Sequence, residues 1–288
     1  MLSTLPNPRL NPPISDLNIP LETTYADDAN FNDEEKENLE VILPIATKVL
    51  AEWNLYINET KTEYSHFYLA TKDETNADKT LYNNEEWRKS ITLGSQMCST
   101  ADIAHRCILG NIAFRKFNNI WIQGPKIPLS KKLIIYEAQV VSVIMYNSSS
   151  WAAPKHVLNK LDTCHRRHLR SILNIKWPTA VISNQNLYKR CDTIPLSERV
   201  EAARWSMLGH VLRSPETTPA STFCCDRSKK YKGHTGAHRT NLLSILKKDL
   251  NKRNITLSKP ADLLALRHLA EDRTEWKRLS AQNNQSCD

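Results

Sequence analysis

The spacing of apolar positions divides the chain into a short mixed segment and a longer helical one. From Ser99 onward apolar residues recur every three or four positions, which is the period of one buried face of an α-helix. This periodicity predicts helices over Ser99–Trp121, Ser130–Tyr146, His156–Leu173 and Leu196–Arg213, with two or three shorter helices between Arg239 and Ala281.

Before Ser99 the pattern alternates between strand and helix. Residues 21–26 read as a strand, and Asn32 followed by Glu35 fits a capping box before an apolar stripe that runs from Leu39 to Trp53. Pro44 lies inside that stripe and is expected to kink the helix. Three further strands are predicted, of which the first two pair around a turn and the third ends at Gly94: Leu55–Asn58, Thr62–Leu69 and Trp87–Leu93.

These elements predict an α+β chain in five segments. Residues 1–20 contain five prolines and are expected to be a disordered lead-in. Residues 21–98 form a small antiparallel β portion with one helix, and residues 99–213 form a mostly α-helical region. Residues 214–238, rich in turn-forming and basic residues, are expected to be a linker before a small helical segment over 239–288.

Charge is distributed unevenly between these parts. Residues 1–90 hold 8 Lys and Arg against 17 Asp and Glu, whereas residues 91–288 hold 31 against 14. A basic part beside an acidic one is typical of a chain with a nucleic-acid partner, although a basic solvated surface would look the same.

Composition also limits the compartment. No apolar run reaches the roughly 18 residues that a membrane span needs, and the N-terminus lacks the pattern of a signal peptide. Seven cysteines, an odd number, read as reduced thiols. We therefore expect an intracellular protein, nuclear or cytoplasmic, with no membrane partner.

Two adjacent carboxylates, Asp27 and Asp28, follow the first predicted strand. Like charges held side by side usually serve a divalent cation, and two-metal phosphoryl transfer uses such carboxylates. A loop acidic pair is the alternative interpretation.

Several stretches carry a family resemblance, and they occur in the family's order. Tyr25-Ala-Asp-Asp28 resembles the YxDD signature of reverse transcriptases. Segments that follow this signature in non-LTR, LINE-type retrotransposon enzymes resemble Glu52–Tyr64 and Ile91–Met97 of this chain. The resemblance continues, in order, through DIAHRCILGNIAFRKFNNIW, LDTCHRRHLRSILNIKWP, SNQNLYKR, RWSMLGHVLR and LAEDRTEWKRL. The resemblance implies an RNA-directed DNA polymerase whose palm covers residues 21–98 and whose thumb and C-terminal region cover the helices.

The resemblance also assigns roles. Asp27 and Asp28 would bind catalytic Mg²⁺, Tyr25 would lie beside the primer end or nucleotide, and Lys61 would lie near the nucleotide phosphates. Leu93 and Gly94 would belong to the hairpin that grips the primer.

The basic helices would track the backbone of an RNA template and DNA primer, or of an RNA–DNA hybrid. Arg166, Arg167 and Arg170 are the predicted contacts, with His165 and His168 beside them.

The family's other essential aspartate and its fingers lie upstream of the signature, whereas only 24 residues precede Tyr25. We therefore expect a truncated polymerase, inactive alone. A non-catalytic nucleic-acid-binding helical module and a helical interaction protein are the alternatives.

Two groups of Cys and His are alternative zinc sites that their spacing disfavours: Cys224, Cys225, His234 and His238, and Cys164, His165 and His168 with Cys191 and His210. Cys224, Cys225, His234 and His238 lie in the predicted linker, and Cys164 falls at core spacing on its helix. The tryptophans at 121, 151, 177, 205 and 276 are expected to be packing residues.

Overall fold

The structure, a computed structural model, describes residues 22–33, 36–62, 91–122, 126–176, 178, 180–221, 242–256 and 260–281. By internal contacts the chain divides into two units, residues 1–82 with 214–235, and residues 83–213 with 236–288.

The first unit opens with a β-hairpin. Strands β1 (Glu22–Tyr25) and β2 (Asp28–Phe31) pair antiparallel, with Tyr25 opposite Asp28 across the turn. Ala26 takes a left-handed φ of 55° in that turn. Helix α1 (Lys36–Glu52) follows and continues through Pro44. The proposed capping box includes Glu35, which lies outside the described residues.

The predicted strand over Leu55–Asn58 is wrong. Helix α1 ends through Asn54 at a left-handed φ of 58°, and the Leu55 amide donates to the Leu50 carbonyl at 3.0 Å. After Leu55–Asn58 the chain enters a 3₁₀ turn over Glu59–Lys61. The Asn58 side chain stabilises this turn by accepting from the Thr60 amide at 3.1 Å. The Asn58 side chain thus accepts a local hydrogen bond in place of the backbone hydrogen bonds that a paired strand would form. Most of the predicted partner strand, Thr62–Leu69, lies outside the described residues.

The second unit begins with a smaller hairpin and continues as helices. Strands β3 (Ile91–Thr92) and β4 (Ser95–Gln96) pair antiparallel. The helices that follow are α2 (Ser99–Lys116), α3 (Asn118–Ile122), α4 (Leu129–Tyr136), α5 (Ser142–Ile144), α6 (Lys155–Ile172), α7 (Asn184–Arg190), α8 (Leu196–Arg213), α9 (Leu242–Asn251), α10 (Pro260–Glu271) and α11 (Arg273–Ala281).

The main helix predictions are confirmed, with two local differences and one omission. The first predicted helix breaks at Phe117 into α2 and α3. The second continues from α4 into α5 through a π-helical turn, Glu137–Val141. Helix α7 was not predicted from periodicity; Ser183 caps it by accepting from the Asn186 amide at 3.2 Å.

The core of this unit lies between α2, α4 and α6, and α8 packs against α6. Helices α9, α10 and α11 pack on the other side against α8. Trp121, Trp151, Trp205 and Trp276 are buried, which confirms them as packing residues, whereas Trp53, the last residue of the apolar stripe predicted in the first unit, is 63% exposed. No helix in the described part of the chain is long and apolar enough to cross a membrane.

The described residues are therefore mostly helical, with two small antiparallel hairpins, in agreement with an α+β class.

Candidate nucleic-acid interface

A basic groove runs along the C-terminal half of α6. One side of this helix is apolar and buried, through Val157, Leu161, Leu169 and Ile172. The opposite side projects its arginines outward because an α-helix repeats every 3.6 residues. The groove has a volume of about 690 Å³ and is lined by Thr163, Arg166, Arg167, Arg170, Ser171, Asn174, Ile175, Lys176 and Asn184.

The chemistry of this lining is one-sided. Four of its nine residues are cationic, most others are hydroxyl or amide side chains, and no carboxylate is among them. A concave surface with one sign of charge concentrates counter-ions of the opposite sign. The groove therefore suits an anionic backbone, and the three arginines predicted from sequence lie together in it.

Neighbouring polar groups hold two of the arginines in place. The Arg170 guanidinium donates to Asn184 Oδ1 at 2.7 Å, and Arg166 donates to Thr163 Oγ1 at 3.0 Å. Arg166 also reaches the Tyr188 hydroxyl at 3.5 Å. Neutral acceptors orient these cations without neutralising them. Arg167 is exposed and has no carboxylate partner within the described part of the chain.

The two histidines beside the arginines do not face the groove, which corrects their prediction as backbone contacts. His165 and His168 are buried, with 0% and 3% of their surface exposed. Tyr136 lies between them, its hydroxyl 2.8 Å from His165 Nδ1 and 3.3 Å from His168 Nδ1. His168 Nε2 lies 2.9 Å from Asn111 Oδ1. Both rings therefore belong to a polar network inside the core.

Burial decides the charge of His165. Desolvation, with added repulsion from Arg199, His168 and Arg166, lowers the pKa of His165 to about 3. Burial also raises the pKa of Tyr136 well above its usual range. His165 and Tyr136 are therefore both neutral near pH 7.

Cys164 lies in the same part of the core, as its spacing predicted. Its Sγ is 3.7 Å from Asn111 Oδ1 and 4.0 Å from His168 Nε2. A hydrogen bond with Cys107, followed by His168 and Arg167, lowers the pKa of the Cys164 thiol, and the same pairing raises the pKa of Cys107. Cys191 is also buried. The other proposed zinc residues, Cys224, Cys225, His234 and His238, lie outside the described residues.

The structure places the residues of the YxDD-like stretch together at the tip of the first hairpin. Tyr25 ends β1, Asp27 lies in the turn and Asp28 begins β2. Both carboxylates are exposed, as is Tyr25 at 69%. Lys61 is exposed at the end of the 3₁₀ turn in the same unit.

These carboxylates alone do not fit a two-metal centre. Among the described residues no group of three or more His, Cys, Asp or Glu side chains could hold a metal ion. Mg²⁺ requires near-octahedral oxygen ligation, which one exposed pair does not supply. No step of metal-dependent chemistry follows from this hairpin.

Leu93 and Gly94 form the turn of the second hairpin, and two side-chain donors, buried Arg106 and exposed Tyr146, anchor that turn. Arg106 donates to the Gly94 carbonyl and, at 3.1 Å, to Ser95 Oγ. Tyr146 donates to the Leu93 carbonyl at 2.9 Å. Gly94 takes a φ of 75°, which glycine adopts without strain.

Asp102 completes this anchor. Its carboxylate, 1% exposed, accepts from the Gln96 amide at 3.0 Å and from the Trp151 indole at 2.8 Å. Sequence reasoning missed Asp102 and Arg106. Their spacing of four residues on α2 is the signal that could have drawn attention to them.

Comparison with protein-family models, with curated proteins and with solved structures found no match.

Proposed function

We propose that the helical unit binds the phosphate backbone of nucleic acid, and that the α6 groove is the contact surface. The observation that carries this is the clustering of Arg166, Arg167, Arg170 and Lys176 in one groove whose lining contains no carboxylate. Contacts to phosphate are independent of sequence and use this type of lining.

The resemblance to LINE-type reverse transcriptases supports the same proposal. In that interpretation the hairpins and α1 derive from a polymerase palm, and the helices derive from the thumb and C-terminal region. An RNA template with a DNA primer, or an RNA–DNA hybrid, is then the natural partner. We propose binding without synthesis, because the Asp27–Asp28 hairpin has no further metal ligand among the described residues.

Arg167 is the residue of choice for testing this proposal. It is exposed and lines the groove, so its loss should leave the fold intact. We expect Arg167→Ala to weaken binding of a labelled RNA–DNA hybrid several-fold. The negative slope of log affinity against log salt concentration should become shallower by about one, as expected for the loss of one phosphate contact. Fluorescence anisotropy across a salt series measures both quantities.

Lys155→Ala is the matched control. Lys155 is exposed on the same helix and does not line the groove. Its substitution by alanine removes one positive charge, as Arg167→Ala does. The proposal predicts a clearly smaller effect for this variant. Equal losses in the two variants would mean that net charge, and not the groove, determines binding. Absence of any binding at low salt would leave the helical interaction protein as the better interpretation.

A further inference from the structure

A second cavity adjoins the basic groove and has different chemistry. Its volume is about 380 Å³, and Asn184 lines both cavities. Among its other lining residues are Gln185, Tyr188, Ile194, Pro195 and Glu198. The two volumes fall within the range of roughly 300–1,000 Å³ that ligand pockets occupy.

Glu198 makes the second cavity unfavourable for a phosphate group. Its carboxylate contributes the opposite charge to that of the neighbouring groove, which disfavours a phosphate there. The amides of Asn184 and Gln185 offer both donors and acceptors, and Glu198 offers an acceptor. The cavity therefore suits a neutral group that carries hydrogen-bonding edges.

Tyr188 supplies an aromatic surface in that cavity and is held in place. Its ring stacks on His165 with centroids 5.9 Å apart and an interplanar angle of 26°. Its hydroxyl is 3.5 Å from Arg166, which lines the basic groove. A half-buried ring that is already held by such contacts loses little freedom when a flat ligand packs against it.

From this arrangement we infer that the two cavities together bind single-stranded nucleic acid, with phosphates in the arginine groove and one unpaired base against Tyr188. The inference rests on the proposed backbone binding and specifies its ligand. A base in a duplex is stacked and paired, so it is not free to enter a side cavity. Single strands combine a basic track with aromatic stacking in this way.

An abasic oligonucleotide separates base contact from backbone contact. We expect the full chain to bind a single strand, as RNA or as DNA, about tenfold more tightly than an abasic strand of the same length and charge. Tyr188→Ala should abolish that ratio, whereas Tyr188→Phe, which keeps the ring and loses the hydroxyl that contacts Arg166, should preserve it. Circular dichroism verifies that both variants fold.

A cross-linking measurement on the unmodified chain keeps the test decisive if Tyr188→Ala fails to fold. A single strand carrying a photoreactive base should cross-link to the peptide that contains Tyr188. Equal affinity for single, abasic and hybrid strands, or cross-links confined to other helices, would overturn the inference while backbone binding still stands. Absence of binding to all of these strands would instead contradict the proposed function.

Discussion

At the scale of single residues, His165 shows how position on a helix overrides residue type. It stands next to Arg166 in sequence, yet α6 turns it into the core, where it is fully buried beside Tyr136. Its Nε2 has no hydrogen-bond partner among the described residues. A buried imidazole without a second partner avoids protonation, because the charged ring would lose its hydration.

This burial predicts a pH dependence of stability. The pKa of His165 is lowered to about 3 in the folded chain, against 6.5 for an ordinary histidine. Between these values the unfolded chain binds a proton that the folded chain does not, so the free energy of unfolding should fall as pH decreases from about 6.5 toward 3. The limiting slope from this group is about 1.4 kcal/mol per pH unit.

Urea denaturation at a series of pH values measures this slope. We expect His165→Gln to reduce the slope of the free energy of unfolding against pH below about pH 6.5, by the equivalent of up to about one proton taken up on unfolding. This change in slope is expected whatever the effect of the substitution on absolute stability. His156→Gln, at an exposed position on the same helix, serves as the control and should keep the steeper slope. Identical acid slopes for His165→Gln and the unmodified chain would contradict a neutral buried His165.

At the scale of elements, a tryptophan pair joins α8 to α11. The rings of Trp205 and Trp276 stack with centroids 4.1 Å apart and nearly parallel planes. Each indole donates to the main-chain carbonyl of the other residue, at 2.9 and 3.0 Å. Arg253 lies over the Trp205 ring at 4.2 Å. Stacking and reciprocal hydrogen bonds fix the distance between the two helices.

Gly209 makes that close approach possible. A Cβ at position 209 would overlap the Trp276 indole. Alanine normally favours a helix over glycine by about 1 kcal/mol, but overpacking a core typically costs about 1–3 kcal/mol. We therefore expect Gly209→Ala to lower the free energy of unfolding by up to about 2 kcal/mol net, measured by urea denaturation.

Ser206→Ala, at an exposed position of α8, provides the comparison for Gly209. It should have little effect or stabilise the helix slightly, because alanine has the higher helix propensity. A stabilising Gly209→Ala would show that α11 does not pack on α8 at this distance.

At the scale of the whole molecule, the YxDD-like hairpin and the basic groove belong to different units, whereas Leu93 and Gly94 lie in the same unit as the groove. Tyr25, Asp27, Asp28 and Lys61 lie in the first unit, whereas Arg166, Arg167 and Arg170 lie in the second. Binding and any metal chemistry can therefore be tested separately by variants in each unit.

We expect no primer extension by this chain. Two-metal transfer requires ligands for both ions, and the described residues contain no group of three or more His, Cys, Asp or Glu side chains that could hold a metal ion. On a primed RNA template with deoxynucleotides and Mg²⁺ or Mn²⁺, the purified chain should show no more product than the Asp27→Ala, Asp28→Ala double variant. Product that depends on these aspartates would contradict binding without synthesis.

The sequence by itself determined much of the helical architecture. Apolar spacing located the helix that ends at Arg213 and the arginine-bearing helix to within a residue, because a 3.6-residue period is a local property. The same spacing predicted the buried Cys164 and the packing tryptophans. It also placed the three arginines on one helix, although not the groove around them.

Only the tertiary structure decided which polar residues meet. The groove needs Asn184 of α7 beside α6, and the turn of the second hairpin needs Arg106 while Asp102 also accepts from the Trp151 indole, contacts that come from packing between separate elements. His165 and His168 follow Leu161 by four and seven residues, so the helical period itself places them on the buried face, and only the structure shows that Tyr136 and Asn111 are their partners. Leu55–Asn58 failed as a strand because Asn54 and Asn58 satisfied the local backbone instead. Periodicity reports which face of an element is buried, but not which partner covers it.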